Sequence, residues 1–209
     1  MSYNYSAGPS PQSAGQPAGP AFSQAGLQDV VNSWVTSVTK PNVQTYAAEV
    51  PRADQNRLLM SVGLATVISA VLGLLGGIFS HNMVGSFLTA LIGTPLGFFI
   101  GQGVIYLLAR AMGGTGSFMT QSYVMSTFWA PLLVLRSIPI VGGFIGIIAG
   151  LYSLYLTYLA LQPTQRLDST KSMMVVGILL AIGVVLAICA FALGAAALLG
   201  LAAASGGTQ

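Results

Sequence analysis

Five stretches of this chain, 58–80, 84–109, 118–135, 138–162 and 173–204, contain no Asp, Glu, Lys or Arg. A bilayer core of about 30 Å takes roughly 20 apolar residues of helix at about 1.5 Å rise each. In hydrocarbon a helix satisfies its own backbone hydrogen bonds, whereas an open strand does not. The stretches therefore predict an all-α integral membrane protein with five transmembrane helices. The last is over-long for one span. Halving it would leave pieces of about 16 residues with no polar turn, so it reads as one helix that tilts or extends past the bilayer. Composition agrees: 54% of residues are hydrophobic and 5% charged, against roughly a quarter charged in soluble domains.

The flanks are of another kind. Residues 1–24 are rich in Ser, Gly, Pro and Gln and too poor in apolar surface to offset ordering entropy, which predicts a flexible tail. They lack the charged start and apolar run of a signal peptide. Within 25–57, Val30, Val31, Trp34, Val35 and Val38 recur at helical spacing, ended by Lys40-Pro41. This segment is expected to be amphipathic and interfacial, with Trp34 at headgroup depth; the alternative is a soluble helix packed on the membrane domain. The membrane domain is placed at 58–204 and a short polar tail at 205–209.

Lys40, Arg52, Arg57, Arg110, Arg166 and Lys171 all fall on the side of the N-terminus if the five helices alternate. Only Arg136 falls on the other side. Because basic residues stay cytoplasmic, the N-terminus is expected inside and the C-terminus outside. The formal net charge of +3 comes with no cluster of Lys and Arg, which argues against nucleic-acid binding.

Catalytic chemistry has little to work with. All four acids, Asp29, Glu49, Asp54 and Asp168, lie outside the apolar stretches, so a proton relay or a carboxylate metal site within the bilayer has no candidate. His81 and Cys189 are single and belong to different segments, too few for a zinc site. A Ser-His-Asp triad would have to join His81 to Asp168 across roughly a bilayer. His81 reads as a solvated loop residue and Cys189 as a small apolar packing group. The expectation is a non-enzyme with no catalytic, cofactor or metal residues.

Small and polar residues carry the remaining information. Gly93, Gly97 and Gly101 are four apart, as are Gly142, Gly146 and Gly150, and Gly73 pairs with Gly77. That spacing puts small residues on one helix face, where backbones approach closely, within one bundle or against a partner or a second copy. Gln102 is a candidate for an interhelical hydrogen bond. Tyr152 and Tyr155 lie deep enough to need hydroxyl partners, whereas Tyr158 suits the interface. A ligand pocket at Gln102, Tyr152 and Tyr155 is the alternative reading. Pro131 predicts a kink that frees a carbonyl near Ser126 or Thr127. Pro139 ends the third helix and leaves Arg136 in a tight outer turn, reaching lipid phosphate or capping helix-end carbonyls.

The stretch "YVMSTFWAPLLVLRSIPIVGGFIGIIAGLYSLYLTYLALQPTQRLDSTKSMMVVGILLAI" resembles the second half of a Yip (Ypt-interacting protein) membrane domain. It shares Pro131, the Ile-Pro at 138–139, Gly142-Gly143, the Tyr-rich fourth helix and the short basic loop before a small-residue fifth helix. Upstream, "SWVTSVTKPNVQTYAAEV" is similar to the lead-in of prokaryotic members, and "ARAMGGTGSF" resembles their loop after the second helix. The resemblance covers about residues 30–200 and implies five helices with a cytoplasmic N-terminus. Eukaryotic members act in vesicle trafficking and engage prenylated small GTPases. They carry an acidic "DLYGP"-type motif where this chain reads "VPRADQNRLLM", so a small-GTPase partner is set aside for a bacterial-type member of the plasma membrane. The function expected is protein–protein interaction, scaffolding or membrane organisation among membrane lipids. An accessory subunit of a larger membrane complex comes second, and a channel or small-solute transporter, which needs a polar lumen, comes last.

Overall fold

A computed structural model describes residues 24–79, 81–138 and 142–206. Among them the chain is helical throughout, without strands: α1 (Gln24–Thr39), α2 (Val43–Glu49), α3 (Gln55–Phe79), α4 (Met83–Ala111), α5 (Phe118–Arg136), α6 (Gly142–Gln165) and α7 (Ser169–Gly206). A single 3-10 turn, Val50–Arg52, joins α2 to α3.

Polar caps set the breaks. After Lys40-Pro41, the Asn42 side chain accepts from Thr45 N at 2.7 Å and starts α2. Asp54 accepts from Asn56 N at the start of α3. Asn82 accepts from Gly85 N for α4, Ser117 from Thr120 N for α5, and Asp168 from Lys171 N for α7. Pro95, Pro131 and Pro163 lie inside helices. One turn before Pro131, the Ser126 carbonyl accepts a long hydrogen bond from Ser61 Oγ at 3.4 Å.

Four helices are long and apolar enough to cross a membrane: Gln55–Ile78, Met83–Ala111, Phe144–Gln165 and Ser169–Ala197. The expected third span, α5, is different in kind. Its 19 residues carry Gln121, Ser122, Ser126 and Thr127, and everything from Gln121 to Phe128 is buried. α5 is the axis of the bundle: α3, α6 and α4 pack around it, and α1 lies across it. Protein replaces lipid around its polar half, where Gln121, Ser126 and Thr127 find hydrogen-bond partners and buried Ser122 Oγ is left without one.

The bundle has a basic end, where α3, α5 and α7 begin and α4 and α6 finish. There the loop from α4 to α5 lies on the end of α6, with Thr115 N donating to Gln165 O at 2.9 Å and Gly116 N to Gln165 Oε1 at 3.1 Å. A Cβ on Gly116 would collide with the Thr164 carbonyl, so the approach requires glycine. At the far end α3 turns into α4, and a Cβ on Gly77 would stand 2.6 Å from Met83 Cα.

The main core joins Tyr46 of α2 to Leu58, Val62, Phe98, Val124, Met125, Phe128, Leu156 and Leu161, with Tyr46 edge-on to Phe128 at 5.7 Å. A second cluster seats Val30 and Trp34 of α1 against Met60, Ala65 and Ala130. The amphipathic segment is thus built into the bundle; Leu27, Val31 and Val35 on its outer face stay exposed. α7, about 57 Å long at 1.5 Å per residue, packs on α6 and α4 near its start, and from Leu180 to Gly194 it is exposed on every side.

Candidate functional site: a polar clamp beneath the α1–α2 face

Glu49 organises the region where α1 and α2 meet the bundle. It is the last residue of α2 and is 6% exposed. One carboxylate oxygen accepts from the Tyr123 hydroxyl of α5 at 2.9 Å. The other accepts from Ser33 Oγ of α1 at 3.2 Å and pairs with Arg52 at 3.3 Å, whose side chain is largely exposed. A single carboxylate therefore ties together α1, α2 and α5. Hydrogen bonds to an ionised acceptor are the stronger kind, which suits Glu49 to this task.

Four more bonds complete the clamp. Trp34 Nε1 donates to Ser61 Oγ of α3 at 2.9 Å. The Ser37 and Thr127 hydroxyls lie 2.8 Å apart. Tyr46 donates its hydroxyl to Ser37 O at 2.9 Å, and Tyr152 of α6 donates to Val38 O at 2.7 Å. Burial pushes the Tyr46 phenol above its ordinary range, so it stays a neutral donor. At the outer edge Arg57 reaches Asp29 at 3.5 Å. α1 thus crosses α3, α5 and α6 in turn, each crossing marked by a polar bond.

Above the clamp, α1 and α2 border an open polar pocket of about 440 Å³. Asn32, Ser33 and Thr36 line one wall, and Asn42, Gln44, Thr45, Ala48, Glu49 and Arg52 the other. It offers amide, hydroxyl, carboxylate and guanidinium groups held on fixed backbone. Such a face can recognise polar groups of a partner. Among the described residues, no three His, Cys, Asp or Glu side chains gather where a metal could sit.

The residues singled out from the sequence scatter over several environments. Gln102 is buried, and its carbonyl and Oε1 accept from Gln121 Nε2 at 3.2 and 3.3 Å; Gln165 Nε2 then donates to Gln121 Oε1 at 2.8 Å. This glutamine chain joins α4, α5 and α6 at the basic end. Tyr152 belongs to the clamp, and Tyr155 is half-exposed, with its ring tilted 6.3 Å from that of Tyr152. Gln102 and the two tyrosines are therefore bonded into separate networks.

The glycines divide as well. Gly73 sits against the Ser86 carbonyl and Ala90 of α4, and Gly77 against Met83. Gly97, Gly101 and Gly150 face open space, and Gly93 nearly so. Gly146 faces the Arg136 side chain, and Gly142 opens α6. Pro131 is inside α5 and Pro139 lies outside the described residues.

Sequence reasoning overlooked Ser33, Ser37, Tyr46, Glu49 and Tyr123 as a unit. Glu49 and Tyr123 are 74 residues apart. The available signals were a lead-in holding three of the chain's four acids, Asp29, Glu49 and Asp54, and a later helix rich in hydroxyls.

The family model of the Yip1 domain matches residues 36–191, from the last turn of α1 well into α7. Among curated proteins and solved structures, none matches the chain. The matched range takes in α2, Glu49, Tyr123, the glutamine chain, the first three apolar helices and the fourth as far as residue 191. This multi-pass, all-helical membrane chain belongs to the Yip1 domain family.

Proposed function

We propose that this protein is a non-enzymatic membrane protein that acts by protein–protein interaction or membrane organisation, with the α1–α2 face as its recognition surface. The observation that supports the reading best is the clamp. An α1–α2 unit that only tethered a tail would need no buried carboxylate, whereas one that presents a fixed polar pocket must be held rigidly. α5 completes five spans, with the N-terminus and basic end in the cytoplasm of a bacterial cell and the C-terminus outside.

Two experiments test this. With Cys189 replaced by Ser, single cysteines at Thr115 and Ser137 should be labelled by impermeant reagent from opposite sides of the membrane; labelling from one side would remove α5 as a span. Full-length protein in native nanodiscs should retain a stoichiometric partner that Thr45→Arg and Asn32→Arg release. Retention by both variants would exclude the pocket as the recognition surface.

The second reading, an accessory subunit docked through its helices, is favoured by the stretch of α7 from Leu180 to Gly194, which its own chain leaves uncovered. A stoichiometric partner held through α7 and indifferent to the pocket substitutions would favour it. The transporter reading gains nothing from the glutamine chain, whose side chains bond to one another instead of lining a lumen.

A further inference from the structure

At the far end of the bundle, α3, α4 and α5 border a groove of about 700 Å³. The size is that of a small-molecule site. Its mouth holds Asn82, Arg136 and Ser137, and its floor is closed by Phe98 against Trp129, ring centres 4.6 Å apart. From Asn82 to Phe98 the α4 wall runs about 24 Å at 1.5 Å per residue. Gly93 and Gly97 lie along that wall, and a Cβ at Gly97 would meet nothing within 4 Å. The glycines thus leave space instead of packing a helix.

The polar lining is rich in donors. Ser69, Ser86, Thr89 and Thr94 contribute hydroxyls, the Ser137 hydroxyl being directed to the Leu133 carbonyl and Ser69 Oγ, and no carboxylate lines the groove. Arg136 is not occupied in capping α5. Ser137 N and Oγ take the Leu133 carbonyl at 3.0 and 2.9 Å, Ser137 N also reaches Val134 O, and Ile138 N takes Leu135 O. The ion pairs of the described residues are Arg52–Glu49 and Arg57–Asp29, so the Arg136 guanidinium has no carboxylate partner there.

From this geometry we infer that the groove is a binding site for an anionic phospholipid. Its phosphate is held at the mouth by Arg136 and neighbouring hydroxyls, and an acyl chain lies along Gly93 and Gly97 toward Phe98 and Trp129. A guanidinium with hydroxyl donors matches a phosphodiester, and the apolar depth matches a chain. A groove between spanning helices opens sideways to lipid, so the ligand is a membrane lipid and not a free anion. The site shares no lining residue with the α1–α2 pocket and is independent of the function proposed for that pocket, although Trp129 and Leu133 at its base also pack against the cluster that seats α1.

Trp129 is a built-in reporter, because the chain has two tryptophans and Trp34→Phe leaves it alone. Full-length protein in phosphatidylcholine nanodiscs is titrated with brominated phosphatidylglycerol, and quenching of Trp129 is followed. Half-quenching should occur at a low mole fraction. Arg136→Gln should shift it roughly tenfold or more upward, the loss of one charge-assisted contact, and Arg136→Lys should restore part of the shift. Gly97→Leu, placed in open space, should block quenching with helicity unchanged. Equal quenching by brominated phosphatidylcholine, or indifference to Arg136→Gln, would overturn the site. Displacement by inorganic phosphate would show that it takes a free anion, and protection from both lipids that ends on dilution would show a second copy in the groove; either result refutes the proposal.

Discussion

Replacing Glu49 by Ala should loosen the α1–α2 unit without dissolving the bundle. The carboxylate accepts one short buried bond from Tyr123 at 2.9 Å and one longer bond from buried Ser33 at 3.2 Å. The pair with Arg52, 57% exposed, adds little. A buried hydrogen bond to a charged acceptor is worth about 1.5–3 kcal/mol and a longer hydroxyl bond about 1, whereas an exposed ion pair contributes about 0–1. Together these give about 3–4 kcal/mol for Glu49→Ala, with the Tyr123 and Ser33 hydroxyls left unpaired. Trp34–Ser61, Ser37–Thr127, Tyr46–Ser37 and Tyr152–Val38 remain, so the unit stays folded but opens more often. At about 1.4 kcal/mol per decade, amide exchange in residues 30–49 should accelerate by roughly two to three orders of magnitude. Exchange in α3 and α4 should not change. Hydrogen–deuterium exchange with mass spectrometry in nanodiscs reads both. Tyr123→Phe should cost about 1.5–2 kcal/mol, and the double variant should fall short of the sum by at least about 1 kcal/mol. Unchanged exchange across 30–49, or equal acceleration in α3 and α4, would refute the clamp as a local, separable device.

Other substitutions probe different contacts. Gly116→Ala should destabilise the protein by about 2 kcal/mol or more, because the new methyl meets the Thr164 backbone; Gly101→Ala, facing open space, should change its thermal midpoint by no more than a degree or two. Gln121→Leu should cost about 2–4 kcal/mol in denaturant unfolding, since it removes two buried bonds to Gln102 and one to Gln165; an unchanged midpoint would show that the glutamine chain holds nothing together. Trp34→Phe loses the bond to Ser61 and part of the indole's buried packing, so about 2 kcal/mol or more is expected, read as faster exchange confined to α1.

Local physics was legible without coordinates. Uncharged apolar stretches specify helices wherever backbone groups must be satisfied without water, and Asn42, Asn82, Ser117 and Asp168 punctuate them. α1 likewise follows from the 3.6-residue recurrence of Val30, Trp34 and Val38. What periodicity did not carry was the neighbour of each face. Gly73 and Gly97 look alike in the chain, yet one is packed against the α4 backbone and the other borders open space. Arg136 announced itself as an isolated cation, but only the bonds of Ser137 and Ile138 to the α5 carbonyls show that its guanidinium is free of a capping role.

By itself, then, the sequence determined that the chain is helical, membrane-embedded and charged mainly at one end, because hydrophobic length and charge placement act locally along the chain. Tertiary structure alone decided that α5, the most polar of the long helices α3 to α7, is the one enclosed by protein. It also decided that Glu49 meets Tyr123 across 74 positions and that a groove opens beside Arg136. Those outcomes depend on which buried polar groups find one another in three dimensions. An unpaired polar group in an apolar interior is costly, so their pairing fixes how the helices dock.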